Sequence, residues 1–404
     1  MGTGSVELAD MRKVSKLGRS MLPFPGRFLL VLLFSAVVSA ASAASGPTLK
    51  DDELMESAIA DYNRNDYASA EEKLTELVAR RPDLKEGYLN RALARSELGK
   101  FAEAESDLDM LLSIDPKSAV AFEFRAMLRL QRSNVAGALA DANVGLRIED
   151  RPGLRSVRGR ILTAKGDYEE ALKDLERALA ANEDDDDARF ARGDCCLALG
   201  RFKEACADFE DILEYYPESI AAMDKLGSAR FKLLEFKEAI GLLEQLTEVD
   251  RPRARAWRMV GYSHFGAGNY QRAIEAMERS LAAESVTFPW AAAVLHLAWL
   301  SEKRETESPL AGLVDRIEDP WGKAVCQALL KQISEDELIE EATALEDPEK
   351  QRGRLCEAYF YLGAMRLRSG DRIGGRALLA QAIATESISF IEYTLAQAEL
   401  GRKP

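Results

Sequence analysis

The residues best suited to catalysis or metal binding in this 404-residue chain are two histidines, His264 and His296, and five cysteines. Zinc and catalytic sites need such side chains at set spacings, for example two histidines four residues apart on one helix. Neither histidine has a second ligand at such a spacing, and the sequence has no glycine-rich phosphate loop or nucleophile elbow. The sequence therefore predicts no catalytic residue, no cofactor and no bound metal.

The acidic run 183–187 is the segment that most suggests a calcium site. It lacks the alternating ligands and the central glycine of a calcium-binding loop. It lies just before a predicted helix, where carboxylates favour the positive end of the helix dipole. We interpret the run as a solvated turn.

Composition and charge narrow the class of partner. Hydrophobic residues make up 47% of the chain and charged residues 30%, values typical of a folded protein. The net charge of −14 repels phosphate backbones, so nucleic acid is not an expected partner.

Short motifs recur about every 34 residues, and each is followed three positions after its aromatic residue by alanine. A fixed period of this length is the mark of a repeat array. The motifs are Asn65-Asp66-Tyr67, Gly99-Lys100-Phe101, Gly166-Asp167-Tyr168, Gly200-Arg201-Phe202, Leu234-Glu235-Phe236 and Gly268-Asn269-Tyr270.

This pattern resembles the tetratricopeptide repeat (TPR), a pair of antiparallel helices, A and B, in 34 residues. Residues 186–219 and 254–287 match the family pattern most fully, with a small residue at position 8 and alanine at position 20. The resemblance implies an all-α fold, an α-solenoid in which stacked helix-turn-helix repeats form a superhelix. It also implies that Gly193 and Ala205 touch where the two helices cross.

The repeats suggest how the chain is divided. We assign a signal peptide to 1–43, seven TPR-like repeats to 51–287 and degenerate helical hairpins to 288–355. An eighth TPR-like repeat is assigned to 356–389, and a capping helix with a tail to 390–404.

The C-terminal part is similar to bacterial envelope TPR proteins of the NlpI-like kind. The similarity lies in Cys356–Gly363, Gly370-Asp371, Phe390–Tyr393 and the segment around Trp290. It implies an adaptor that brings peptidoglycan hydrolases and a periplasmic protease together, often as a homodimer. This chain departs from that group because it has more repeats and no cysteine after its apolar leader.

In TPR arrays a concave groove, lined mainly by helix A, binds other proteins or extended peptides. Aromatic and arginine side chains dominate binding energy at such surfaces. The residues expected to bind a partner here are Phe190, Phe231, Arg255, Arg258, Tyr262 and Phe265. The alternative for Phe190 and Phe231 is that they pack within the core and do not contact a partner.

Two functions remain open at this point. The first is an exported scaffold or adaptor without chemistry of its own, acting on partner proteins in the cell envelope. The second is an enzyme or enzyme subunit with a site in 288–355, where Trp290, His296 and Trp321 would line it.

The N-terminus has the pattern of an export signal. Basic residues end at Arg27, an apolar run spans 28–38, and Ala41-Ser42-Ala43 has the small-x-small form of a cleavage site. We expect a periplasmic protein that is not stably inserted in the membrane after cleavage; an uncleaved anchor is the alternative. Export permits disulfides, and Cys206 with Cys195 or Cys196 is the pairing worth testing.

We predict that the mature chain begins at Ala44. Intact-mass measurement of the protein from a periplasmic fraction should give the mass of residues 44–404. Replacing Ala43 by Trp should block cleavage, because signal peptidase needs a small residue there. Recovery of the full-length wild-type chain from membranes would contradict the prediction.

Overall fold

The computed structural model describes residues 49–248, 254–284, 287–304 and 307–402. The predicted signal peptide lies outside these residues. Every regular element within them is helical, which confirms the all-α fold and the repeated helix-turn-helix pattern. The described part of the chain has no helix that is both long enough and apolar enough to span a bilayer.

The chain divides into two compact units at Ala188. The first unit contains four helical hairpins, taken from the described residues that precede the boundary helix. Their helices are α1 (Leu49–Asn63), α2 (Tyr67–Arg80), α3 (Lys85–Glu97), α4 (Phe101–Ile114), α5 (Ala119–Gln131), α6 (Val135–Ile148), α7 (Pro152–Lys165) and α8 (Tyr168–Ala181).

Helix α9 (Asp186–Ala198) contains the boundary, and the rest of the helices belong to the second unit. The helices of the second unit after α9 are α10 (Phe202–Tyr215), α11 (Ile220–Lys232), α12 (Phe236–Thr247), α13 (Ala254–Ala267), α14 (Tyr270–Ala282), α15 (Pro289–Ser301), α16 (Leu310–Leu313), α17 (Pro320–Leu329), α18 (Glu335–Thr343), α19 (Pro348–Arg368), α20 (Arg372–Ala384) and α21 (Ile391–Gly401). A short 3-10 turn at Val314–Arg316 follows α16.

The turn inside each hairpin has one residue with a left-handed backbone, and this residue recurs with the sequence period. It is glycine at positions 99, 166, 200 and 268, where a positive φ carries no steric penalty. Asn65, Ser133 and Leu234 adopt the same conformation at the equivalent turns. The repeated geometry therefore persists where the glycine of the motif is missing.

Helices A and B of a hairpin approach closely at a glycine in helix A. A Cβ atom placed on Gly193 would lie 2.7 Å from the ring of Phe209, and one on Gly261 would lie 2.8 Å from Met277. The same arrangement recurs in two other hairpins: a Cβ placed on Gly159 would lie 2.6 Å from Leu175, and one on Gly227 would lie 2.8 Å from Leu243. The atoms nearest to Gly193 thus belong to Phe209 rather than to Ala205, the neighbour that the sequence suggested.

A buried ion pair joins helices A and B in successive hairpins. Arg125 donates two hydrogen bonds to Asp141, of 2.9 and 2.7 Å, and the aspartate is almost fully buried. The same bidentate contact, across sixteen residues of sequence, is made by Arg91 with Asp107, Arg158 with Asp174 and Arg192 with Asp208. Removing one partner would leave a buried charge unpaired, which is strongly destabilising.

The segment 288–355 departs from the hairpin pattern. Helix α15 is buried along most of its length, and α16 to α18 are short. Helix α19 begins at Pro348, ahead of the start that we assigned to the eighth repeat. All five cysteine side chains are buried, and Cys206 is a free thiol, so the pairing considered for it is absent.

We predict different costs for two matched glycine substitutions. Gly193→Ala forces a methyl group against the rigid, fully buried ring of Phe209, and we expect a loss of roughly 1–2 kcal/mol in unfolding free energy. Gly261→Ala meets the flexible Met277, and the gain in helix propensity of about 1 kcal/mol should make it nearly neutral.

Denaturant unfolding of the two variants, with the wild type as reference, measures the difference. Equal destabilisation by both substitutions would show that the nature of the facing side chain does not matter.

Candidate protein-binding face

The helix-A face is the row of first-helix side chains that the sequence predicted to bind partners. In the second unit, three of the predicted residues, Phe231, Tyr262 and Phe265, are almost completely buried. The expectation that they are exposed anchors is therefore wrong for this state of the chain. Phe265 is covered by side chains from the C-terminal part of the same unit, and Phe231 packs edge-on against Phe236 of its own hairpin.

The other three predicted residues have different surroundings. Phe190 is half-buried, and its ring packs edge-on against Phe209 at 5.4 Å between centroids. The side chain of Arg255 is 61% exposed and pairs with Asp224.

Arg258 is mostly buried. Its guanidinium lies 4.1 Å from the ring centroid of Phe288 and pairs with Glu284 at 2.6 Å. Among the six predicted residues, Arg255 thus keeps the most accessible surface.

Phe265 shows how the covering is built. Its ring contacts Phe360 of α19 at 6.5 Å between centroids, and Arg368 lies over it at 5.0 Å. Arg402 donates hydrogen bonds to the carbonyl oxygens of Phe265 and Gly266. Each of the three side chains that cover Phe265 lies about a hundred residues or more after it in the sequence.

We call residues Glu386–Arg402 the closing segment. Its first part is a turn whose carbonyl oxygens face Lys232 at the end of α11. The ammonium group of Lys232 donates to the carbonyls of Ile388, Ser389 and Phe390 over 2.9, 2.9 and 2.7 Å. Burial lowers the pKa of Lys232 to about 8, and the Glu392 carboxylate opposes that shift.

The helix of the closing segment, α21, packs on α13, α19 and α20. Leu395 and Ala396 are fully buried, and Glu392 is almost fully buried. The hydroxyl of Tyr361 donates to Glu392 over 2.9 Å. Burial raises the pKa of Glu392 and raises that of Tyr262 well above its ordinary value.

A second buried carboxyl lies in the same unit. Glu357 accepts a hydrogen bond of 2.7 Å from the indole nitrogen of Trp321. Burial, with the nearby Glu392 carboxylate as the second cause, raises the pKa of Glu357 to about 8. Sequence reasoning missed both glutamates, because nothing in the 34-residue period distinguishes them from the many exposed acids.

The residues of the enzyme hypothesis are distributed within the packed core of this unit. Trp290 stacks on Tyr361 at 5.7 Å, and Trp321 is bonded to Glu357. His296 is buried with no hydrogen-bond partner on either ring nitrogen, and burial, with the charge of Arg368, lowers its pKa to about 4. Among the described residues, no three or more His, Cys, Asp or Glu side chains converge as metal ligands.

In the first unit the helix-A face is partly exposed. Its side chains include an apolar set on α3 and α5, and Arg160 of α7 pairs with Asp187 at 2.9 Å. The half-buried apolar residues are Leu89, Leu93, Met127 and Leu130. A shallow, open depression in the same unit is lined by Ala58, Ile59, Tyr62, Leu74 and Asn90.

The comparison with family models decides the class. The model described as "Tetratricopeptide repeat" matches residues 55–119, 157–220 and 225–285. These three segments are tetratricopeptide repeats. They contain hairpins of both units, and the first helices of these hairpins supply helix-A side chains.

One curated relative of this chain is the lipoprotein NlpI homolog of Haemophilus influenzae. The two sequences are 33% identical over 112 residues, which is 26% of this chain. The match spans about a third of the relative's length, 36%.

Solved structures similar to this chain include a tetratricopeptide repeat protein from Parabacteroides merdae. That match has 20% identity and a TM-score of 0.42, and covers 62% of this chain and 99% of the other. Another is PilW, a type IV pilus biogenesis factor, with 18% identity and a TM-score of 0.45 over 50% and 94% of the two chains. A third is YrrB, described as having an unusual peptide-binding site, with 22% identity and a TM-score of 0.38 over 45% and 95%.

We predict that Glu357→Gln reduces the loss of stability at high pH. The folded state keeps the Glu357 proton up to about pH 8, whereas the unfolded chain releases it near pH 4.5. The folded state therefore binds more protons between these values, and stability falls as the pH rises through this window. Glutamine can still accept the bond from Trp321 and cannot ionise.

Thermal unfolding at pH 5 and pH 9 tests this prediction. We expect Glu357→Gln to exceed the wild type by roughly 3–6 °C in Tm at pH 9 and to match it at pH 5. Glu340→Gln, on an exposed glutamate of α18, is the control and should change neither value. A parallel fall in Tm for wild type and Glu357→Gln would contradict the assignment.

Proposed function

We propose that this protein is an exported TPR scaffold or adaptor that binds partner proteins or extended peptides on its helix-A face. The observation that carries the proposal is the half-exposed apolar row of the first unit, set on consecutive A helices. Leu93 and Met127 occupy equivalent places in neighbouring hairpins, 34 residues apart. Apolar side chains on an accessible surface favour contact with another protein.

The proposal extends to the cell envelope of a bacterium. It is supported by the signal-like pattern of 1–43 and by the partial match to the lipoprotein NlpI homolog. Because no cysteine follows the apolar run, we propose release into the periplasm rather than attachment through a lipid. Peptidoglycan-linked or protease-linked processes are the proposed setting, and a homodimer is the proposed assembly.

Binding without chemistry is the form of the function that the side chains favour. Glu357 and Glu392, the buried carboxyls of the second unit, are engaged by Trp321 and Tyr361. His296 lies on the apolar helix α15 and is buried, and burial lowers its pKa to about 4. These groups stabilise or strain the packing of the unit, and the accessible helix-A face is what remains for contact with other molecules.

Site-specific photo-cross-linking in cells tests the scaffold role. A photo-reactive residue at Leu93 or Met127 should give adducts with defined partner proteins. The same residue at Met110, which is 44% exposed on a B helix, is the control and should give none.

A pair of double variants completes the test. Leu93→Glu with Met127→Glu places charge in the apolar row and should reduce partner capture by about tenfold or more. Met110→Glu with Ile114→Glu adds the same charge to the other face and should leave capture unchanged. Equal capture by both double variants would argue against the helix-A face as the binding surface.

A further inference from the structure

The closing segment lies where the sequence predicted a partner. It crosses the ends of successive A helices of the second unit. Ile388 packs against the turn at Gly200, its terminal carbon 2.5 Å from the place of a Cβ atom. Lys232 at the end of α11 and the last turn of α13 make the next contacts, with the turn at Ile388–Phe390 and with Arg402.

The polar contacts of the closing segment are made largely through main-chain atoms. Lys232 binds three consecutive carbonyl oxygens of the segment, and Arg402 of the segment binds two carbonyl oxygens at the end of α13. Charge-assisted hydrogen bonds of this kind are strong and directional. A carbonyl is present in every residue, so the Lys232 contact selects a backbone shape rather than one sequence.

The closing segment also makes apolar contacts, and two of them are with glycines. Ile388 covers Gly200, and the ring of Phe390 fits against Gly353 of α19, 2.6 Å from where a Cβ would stand. Leu395 and Ala396 fill the space under α21. A ligand that fits this surface therefore has a turn with two apolar residues, followed by an amphipathic helix with a narrow apolar side.

Docking of α21 also includes an unfavourable desolvation free energy. Glu392, Thr394 and Glu399 are buried on this short helix, and a buried carboxyl repays its desolvation only when its hydrogen bonds are well formed. Glu399 depends on Arg368 at 3.0 Å and on Arg402. Much of the stability of the docked helix therefore depends on contacts at its two ends.

We propose that the surface under the closing segment, formed by the Gly200 turn, α11 and α13, is a protein-binding site that the chain occupies with its own segment. A partner protein enters by presenting a turn with free carbonyls followed by an amphipathic helix, and it displaces the closing segment. This inference rests on the proposed function and names a partner-binding surface in the second unit.

The experiment measures binding of a labelled peptide of residues 385–402 to the mature protein by fluorescence anisotropy. Arg402→Gln changes the segment and leaves the surface intact, so the segment should open and the peptide should bind at least tenfold more tightly than to wild type. Ile388→Ala weakens the other end and should act in the same direction. Arg372→Gln, an exposed arginine on α20, is the charge-matched control and should bind as wild type does.

Lys232→Gln added to Arg402→Gln should abolish the gain, because the surface then lacks the group that binds the turn. Association of the Arg402→Gln protein into dimers that the peptide dissolves would support the site and identify a second copy as its occupant.

Hydrogen exchange of α21 supplies the opposing outcome. If its amides exchange only with those of α13, and neither Arg402→Gln nor Ile388→Ala binds peptide while remaining folded, the segment is a permanent part of the core and the inference is overturned. Cross-linking at Leu93 would still decide the scaffold function separately.

Discussion

The close approach of helices A and B within each hairpin is the constraint on which the rest depends. In the hairpins from α7 to α14, a glycine in helix A leaves room for one side chain of helix B, as Phe209 against Gly193 and Leu243 against Gly227. A hairpin held at this distance presents a fixed helix-A row to whatever lies over it. In the first unit that row includes half-exposed leucine and methionine side chains. In the second unit the closing segment packs against it.

The repeat pattern was predictable because its signals are local. The left-handed turn residue, the alanine after it and the small residue of helix A lie within one 34-residue window. The sequence also placed Tyr262 and Phe265 on the helix-A face, which is the face the structure gives them. It could not show that Phe265 is buried, because its covering comes from Phe360, Arg368 and Arg402, which lie far along the chain and outside the repeat period.

Two features escaped prediction for different reasons. The arginine and the aspartate of each pair are sixteen residues apart, and this spacing recurs with the repeat. The TPR pattern is defined by small and apolar positions, so it does not predict the pairs. Leu234 was visible too, yet a bulky residue gives no hint of a left-handed backbone. Its φ of 63° is imposed by the hairpin around it.

Each arginine–aspartate pair closes inside its own hairpin, as Arg125 on α5 with Asp141 on α6. Copying or deleting the α5–α6 hairpin would therefore add or remove both charges of this pair together. The pair of Arg151 with the buried Glu123 is different, because it joins α5 to the residue that precedes α7, in the next hairpin. A change of repeat number at that junction would leave one of these two charges without its partner, whereas the Arg125–Asp141 pair would be kept whole.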